Sequence, residues 1–290
     1  MKSKIKKVSL LLGVVFIVCQ SICAQSSNVV PDSLKKAYGS LKALIVVGDE
    51  SVKHFVPSAE RLADFLRSLG ISVKELYPPY STKENVIKGS KNVNIFVYKG
   101  HGNDWGVICL DDGQMSNDAI AENIKLAPNA LVIYNHVCTG AGSSAGDRQS
   151  ITYTTARDRV FLNARPYLNT GAGMYYANNY YGKDIAFFRK LLLGQKNMYD
   201  LYRETTSGLN QTIEKICRYD KGIVAGVSSY YSGQKRKITT TSCNGQCRTE
   251  MLPPAKSYDI AFVAPSNYTF RDLIKNSQKP RSFLADQKNN

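Results

Sequence analysis

One histidine and one cysteine each follow a short apolar segment of the chain. His101 and Gly102 come after the segment 93–98, and Cys138 comes after the segment 130–134. Such segments are typical of buried strands, and the carboxyl ends of neighbouring parallel strands meet at one edge of a sheet, where open α/β folds build their sites. A thiol and an imidazole brought together there supply a nucleophile and its acid–base partner. The spacing therefore predicts cysteine-dependent covalent catalysis at this edge.

The apolar residues along the chain alternate between strand-like and helix-like patterns. Short apolar, β-branched segments predict strands, and segments with an apolar face every three to four residues predict helices. Strands are predicted at 41–47, 71–76, 93–98, 130–134, within 166–176 and at 222–230, and helices at 58–70, 116–127, 184–193 and 197–210. Strands and helices that alternate in this way favour an α/β fold with a mostly parallel sheet covered on both faces.

The first 24 residues have the composition of a secretory signal peptide. Four lysines precede an apolar segment at 8–18, and small and polar residues follow up to Ala24, where cleavage is expected. The apolar segment is too short to cross a bilayer, so no transmembrane anchor is expected in the mature chain. The sequence therefore predicts a secreted, periplasmic or cell-surface protein with a signal peptide at 1–24, one α/β domain at 25–235 and an irregular C-terminal extension at 236–290.

The chain is strongly basic. Its formal net charge is +15, and removal of residues 1–24 takes away four lysines and no acid, which leaves +11. A basic surface can associate with acidic surfaces, nucleic acid among them. The sequence contains no nucleic-acid-binding motif and no basic helix, since Lys235, Arg236 and Lys237 form only a short cluster. A solvated basic face on an exported protein is therefore the favoured interpretation, with acidic surfaces as candidate partners and no nucleic acid.

An odd number of cysteines remains after residues 1–24 are removed. They are Cys109, Cys138, Cys217, Cys243 and Cys247. In an oxidising compartment an odd number indicates one free or intermolecular thiol. Cys243 and Cys247 could close a local disulfide, and Cys138 is left over if Cys109 and Cys217 are buried or paired. No metal and no cofactor are expected, because the chain has only three histidines and lacks a phosphate-binding glycine loop.

The order of these motifs resembles that of the caspase–legumain–gingipain group of cysteine peptidases, known as clan CD. The segments 95–102 and 130–140 carry the resemblance. The longer segment 126–142 resembles a set of exported bacterial proteins of that general type, and 167–177 resembles their following strand. The resemblance covers roughly residues 40–235. It implies a caspase-like three-layer sandwich with a mostly parallel central sheet, and a protein or peptide as substrate.

The resemblance also implies a role for each site residue. Cys138 would attack the carbonyl carbon of a peptide bond as a thiolate, and His101 would protonate the leaving amine and then activate water. The backbone N–H groups of Gly102 and Cys138 would form the oxyanion hole, and a glycine there lets the backbone approach the substrate closely. The group requires no third acidic residue.

A second histidine lies next to the expected nucleophile. His136 stands two residues before Cys138, so on an extended chain both side chains would point to the same side. His136 could support His101, compete with it as the base, or adapt the site to other chemistry, and a structural or supporting role is favoured. Trp105 could form a wall of the cleft or belong to the core. The third histidine, His54, is expected to be an exposed loop residue.

Four acidic residues are candidates for a specificity pocket. Asp49 and Glu50 follow the first predicted strand, and Asp104 and Asp147 lie in loops near the site. An acid at the floor of the pocket would select Arg or Lys before the scissile bond through a charge-assisted hydrogen bond. The favoured alternative is that all four are solvated loop acids.

Three functions are compatible with these residues. The first is an exported cysteine endopeptidase that uses Cys138 and His101. The second is a binding or surface protein with a peptidase-like fold and no turnover, in which Cys138 would be buried or disulfide-bonded. The third is an acyl transferase that passes the same acyl-enzyme to an amine instead of water.

Overall fold

The computed structural model describes residues 32–179, 183–193, 196–206, 210–214, 223–231, 233–241, 247–265 and 267–274. The expected signal peptide at 1–24 lies outside the described residues, and so do Cys217 and Cys243.

The chain forms eight α-helices and twelve strands within the described residues. The helices are α1 (Asp32–Gly39), α2 (Val56–Ser68), α3 (Lys83–Ser90), α4 (Asn117–Asn123), α5 (Tyr153–Leu168), α6 (Lys183–Leu193), α7 (Met198–Thr205) and α8 (Phe270–Ile274), with a 3-10 helix at Glu50–Phe55. The strands are β1 (Lys42–Val47), β2 (Ser72–Leu76), β3 (Ile95–Lys99), β4 (Ile108–Leu110), β5 (Gly113–Met115), β6 (Leu131–Asn135), β7 (Met174–Asn178), β8 (Asn210–Glu214), β9 (Ile223–Tyr230), β10 (Arg236–Thr241), β11 (Cys247–Leu252) and β12 (Ser257–Pro265).

A single central sheet of eight strands organises the fold, in the order β2-β1-β3-β6-β7-β12-β9-β8. The strands from β2 to β7 are parallel, whereas β12, β9 and β8 are each antiparallel to the preceding neighbour. The strand pairs β4–β5 and β10–β11 lie outside this sheet. Every residue of β3 and β6 is buried, as expected of parallel strands covered on both faces.

Helices pack on both faces of the sheet. On one face α2, α6 and α7 contribute to a core that includes Ile95 and Ile133. On the other face α4 and α5 pack around Phe96 and Val132. Alternate side chains of one strand therefore enter two separate cores. The predicted α/β fold, three layers with a mostly parallel central sheet, is confirmed.

The prediction of an irregular extension from residue 236 is wrong for the described part of that segment. β10 and β11 pair as antiparallel strands, and β12 is inserted into the central sheet between β7 and β9. The apolar run 260–264 is fully buried, because a strand in the middle of a sheet has both faces covered. The α/β unit therefore extends beyond residue 235.

Two further elements differ from the prediction. Helix α5 was not expected, because its first half is rich in polar and β-branched residues and Pro166 lies near its end. The helix expected at 197–210 ends at Thr205, and residues 210–214 form β8 instead. Among the described residues, no helix is long and apolar enough to cross a membrane.

Candidate active site

The histidine and the cysteine singled out from the sequence follow adjacent parallel strands. β3 and β6 pair in register, with Lys99 opposite Asn135 at their carboxyl ends, so the chain leaves both strands at the same edge of the sheet. The two loops then touch. A Cβ atom on Gly102 would lie 2.5 Å from Cγ1 of Val137 and 3.0 Å from the carbonyl oxygen of Cys138. Only glycine allows this approach, which brings the loop of His101 against the backbone of Cys138.

The loop that carries His101, residues 100–107, is a tight hairpin. Gly102 forms an isolated bridge to Ile108, and the Cys109 N–H donates to the His101 carbonyl oxygen over 3.3 Å. The buried Tyr98 hydroxyl lies beneath this hairpin. Its oxygen lies 2.8 Å from the carbonyl oxygen of His101 and 2.9 Å from that of Cys109, which share its single proton, and it accepts from the Cys109 N–H (3.0 Å). The backbone of His101 is thereby fixed from below.

The loop that carries Cys138, residues 136–143, departs sharply from β6. His136 has φ of 58° and Thr139 has φ of 65°, and a positive φ is rare for a β-branched residue such as threonine. The Gly140 N–H donates to the Val137 carbonyl oxygen over 2.9 Å, which closes a turn around Cys138. Cys138 itself is a half-buried free thiol. Backbone strain of this kind costs about 1–3 kcal/mol per residue and clusters at functional sites.

Helix α5 holds the two loops together through two side chains one turn apart. Asn163 Nδ2 donates to Thr139 Oγ1 over 3.1 Å, and Thr139 Oγ1 donates to the Asn103 carbonyl oxygen over 2.9 Å. Arg159 binds Asp147 in the loop region after Cys138 at 2.9 Å, and Asp104 in the His101 loop at 3.1 Å. This arrangement was not predicted from the sequence. Its signal was an arginine and an asparagine at the i, i+4 spacing, on a helix that was not predicted.

The imidazole of His101 is half-buried, and its Nε2 atom is shielded from solvent without a hydrogen-bond partner among the described residues. Burial lowers the pKa of His101 from its ordinary value of 6.5. The negative charge of Asp49 opposes this shift, and His54 adds to the lowering of the pKa. The neutral imidazole is therefore favoured at neutral pH, as a general base requires.

Asp49 is the acidic residue most closely connected with His101. Its side chain is 9% exposed and begins the 3-10 helix, where Oδ1 accepts from the Ser51 N–H over 3.0 Å. Its other oxygen, Oδ2, is buried and has no hydrogen-bond partner in the described part of the chain. Asp49 is thus a buried carboxylate with one unused oxygen that acts electrostatically on the histidine. It is not a solvated loop acid.

The other three candidate pocket acids have cationic partners within the protein. Glu50 is exposed and pairs with Lys53 at 2.8 Å on the 3-10 helix. Asp104 and Asp147 both bind Arg159. These contacts give the three carboxylates roles in surface pairing and in joining the loops.

His136 contacts an aromatic side chain at the end of the 3-10 helix. Its ring stacks on Phe55 with centroids 4.8 Å apart. Its backbone N–H donates to the Asn178 carbonyl oxygen over 2.9 Å. The expectation that His136 and Cys138 share one side assumed an extended backbone, and the positive φ of His136 removes that premise. His54 is exposed, as expected, but its ring packs on Phe55 with centroids 4.2 Å apart.

Two backbone donors remain available beside the thiol. The N–H groups of Gly102 and Cys138 donate no hydrogen bond to any described residue. Donors left free beside a nucleophile can stabilise an oxyanion. Within the part of the chain that the structure describes, no group of three or more His, Cys, Asp or Glu side chains could hold a metal ion.

Comparison with known proteins adds little to this geometry. No model of a known protein family matches the chain, and no curated protein matches it. Among solved structures, the chain is similar to CapF, from a crystal structure with the inhibitor 3-isopropenyl-tropolone. That match covers 78% of this chain and 93% of the CapF chain, at 10% identity and a TM-score of 0.21. A likeness at this level carries no argument about fold or function.

Proposed function

We propose that the chain is an exported cysteine peptidase in which Cys138 is the nucleophile and His101 is the acid–base catalyst. The observation that carries the proposal is the contact between Gly102 and the backbone of Cys138 at the ends of β3 and β6. This contact joins a free, half-buried thiol to the loop of an imidazole with a lowered pKa. The clan CD resemblance in the sequence points to the same pair.

The reaction would proceed through an acyl-enzyme. His101 takes the proton of the Cys138 thiol, the sulfur attacks the carbonyl carbon, and the N–H groups of Gly102 and Cys138 bind the developing oxyanion. The C–N bond breaks as His101 gives its proton to the leaving amine. His101 then takes a proton from water, the resulting hydroxide cleaves the thioester to release the acid and the thiolate, and His101 returns its proton to the sulfur of Cys138.

Asp49 would assist this chemistry through His101 and would not select the substrate. Its carboxylate raises the pKa of His101, so it stabilises the imidazolium that forms after the first proton transfer. The burial of Asp49 and its free Oδ2 atom support this role over that of a pocket acid.

The cysteines favour the enzyme over the non-catalytic alternative. A binding protein without turnover would be expected to have a buried or disulfide-bonded Cys138, whereas Cys138 is free and half-buried. Cys109 is disulfide-bonded, which supports the proposed export to an oxidising compartment. Acyl transfer uses the same thioester, so a competing amine added during turnover would reveal it through amine adducts.

The experiment is cleavage of a mixed peptide library by matched variants. Cys138→Ala and His101→Asn should each abolish cleavage, whereas His136→Asn should keep most of it, because the ring of His136 packs on Phe55. Alkylation by an electrophilic peptide, read by mass spectrometry, should modify Cys138 first. Full activity of Cys138→Ala would end the proposal, and greater loss in His136→Asn than in His101→Asn would reassign the base.

A further inference from the structure

The single tryptophan of the chain lies at the tip of the His101 hairpin and faces solvent. Trp105 is 78% exposed, the largest exposed fraction among the large apolar side chains of the described residues. Burying a tryptophan side chain is favourable, so an exposed indole leaves an unused source of binding free energy on the surface.

The backbone around Trp105 is fixed although its side chain is exposed. The Trp105 N–H donates to Asn103 Oδ1 over 2.9 Å, and its carbonyl oxygen accepts from Asn117 Nδ2 over 3.2 Å. Gly106 has φ of 72°, and a Cβ there would lie 2.4 Å from Asn117 Nδ2. On the other side Asp104 binds Arg159. Because the backbone is already fixed, ordering of the loop adds little to the entropy cost when the indole binds a ligand.

The same contacts fix Trp105 relative to the nucleophile. The Asn103 carbonyl oxygen, two residues before Trp105, accepts from Thr139 Oγ1, and Thr139 directly follows Cys138. Because a chain advances about 3.3–3.6 Å per residue, Trp105 lies within the span of a few substrate residues from the thiol. The hairpin begins at His101, which would donate its proton to the leaving amine, and this shared hairpin associates Trp105 with the leaving-group side.

We propose that Trp105 is a specificity-determining residue that binds an aromatic or aliphatic side chain of the substrate, in the two residues after the scissile bond. This inference rests on the proposed peptidase function. The inference adds to that function a preference for aromatic or aliphatic substrate side chains on the leaving-group side. The indole of Trp105 would set this preference without an acidic pocket. Offset stacking or edge contact with the indole is the expected mode for an aromatic partner.

The kinetic test uses a peptide cleaved by the wild-type protein and two versions of it, with Phe or with Gly at the positions after the scissile bond. Trp105→Ala should lower kcat/KM for the Phe peptide by about tenfold or more, mainly through KM, and leave the Gly peptide nearly unchanged. Trp105→Phe should restore most of the loss. Tyr80→Ala is the matched control, because Tyr80 is also an exposed aromatic residue, at 68%.

The binding test uses the Cys138→Ala variant, in which the sole tryptophan reports directly on its surroundings. Titration with the Phe peptide should shift the indole emission to shorter wavelength, and the Gly peptide should not. An equal loss of cleavage for both peptides, or an unchanged emission with bound Phe peptide, would overturn the inference. Absence of cleavage in the wild-type protein would instead defeat the peptidase proposal, and the emission titration alone would then decide on Trp105.

Discussion

The loops of His101 and Cys138 leave neighbouring strands at the same edge of the sheet, but they are held in different ways. The base of the His101 loop is fixed by nearby chain, through the bridge of Gly102 to Ile108 and the hydroxyl of Tyr98. The Cys138 loop is strained and is fixed from afar. The Thr139 hydroxyl accepts from Asn163 on α5, and the Ser143 N–H donates to the Tyr258 carbonyl oxygen on β12 over 3.0 Å.

Because of this difference, the His101 loop and the Cys138 loop should respond differently to changes in packing elsewhere in the protein. The backbone of His101 itself is held by residues within about ten positions of it, whereas the tip of its hairpin is tied to α5 through Asp104 and Arg159. The position of Cys138 depends on helix α5 and on strand β12, and β12 lies more than a hundred residues later in the chain. Changes in remote packing should therefore alter the reactivity of the thiol before they alter the titration of the imidazole.

The largest effect is expected at Gly102, where the two loops touch. Gly102→Ala places a methyl group 2.5 Å from Cγ1 of Val137 and separates the loops. Since a displacement of about 1 Å can cost roughly a hundredfold in rate, we expect a loss of that order in kcat/KM. Gly146→Ala is the control, because a Cβ there meets no atom closer than 3.6 Å and its φ is ordinary. Equal activity of the two variants would show that the loop contact is not needed.

The next largest effect is expected at Thr139, whose hydroxyl contacts both α5 and the His101 loop. Thr139→Val leaves Asn163 Nδ2 and the Asn103 carbonyl oxygen without the hydroxyl, and should lower the free energy of unfolding by about 1–3 kcal/mol. Thr139→Ser keeps the hydroxyl and should lower the free energy of unfolding by a smaller amount. Chemical denaturation measures the free energy of unfolding, and the alkylation rate of Cys138 measures the reactivity of its thiol.

A double-mutant cycle between Thr139→Val and Tyr98→Phe then tests the comparison itself. If the two loops are fixed independently, the two losses of stability should add to within about 0.5 kcal/mol. A coupling energy well above that value would mean that the loops form one cooperative unit, and the distinction between local and remote fixation would be wrong.

The smallest effect concerns the pKa of His101. Burial lowers this pKa below 6.5, so an NMR titration should find that His101 becomes protonated only below pH 6.5. Because the charge of Asp49 raises the pKa, Asp49→Asn should lower it further and move the acid limb of kcat/KM to lower pH. A changed preference among substrates with an unchanged pH profile would instead identify Asp49 as a pocket acid.

The sequence predicted the parts of the site that depend on buried strands. The apolar runs before His101 and Cys138 gave the parallel strands β3 and β6, and the strand ends gave the edge where both residues lie. The path of the chain after β6 was not predictable, because a positive φ at His136 and Thr139 is imposed by tertiary contacts and contradicts local preference. Arg159 and Asn163 were missed because α5 has weak helical patterning and takes its stability from packing on the sheet.

The place of β12 in the sheet sets an order of events during synthesis of the chain. β9 pairs only with β8 and β12, so the antiparallel part of the sheet cannot join the parallel part until residues 257–265 have emerged. The same strand supplies the Tyr258 contacts that complete the Cys138 loop. A nascent chain therefore carries His101 and Cys138 long before the loop of Cys138 has all its contacts. β12 is the last strand along the described residues, so the contacts of Tyr258 with the Cys138 loop can form only after all the other described strands have been synthesised.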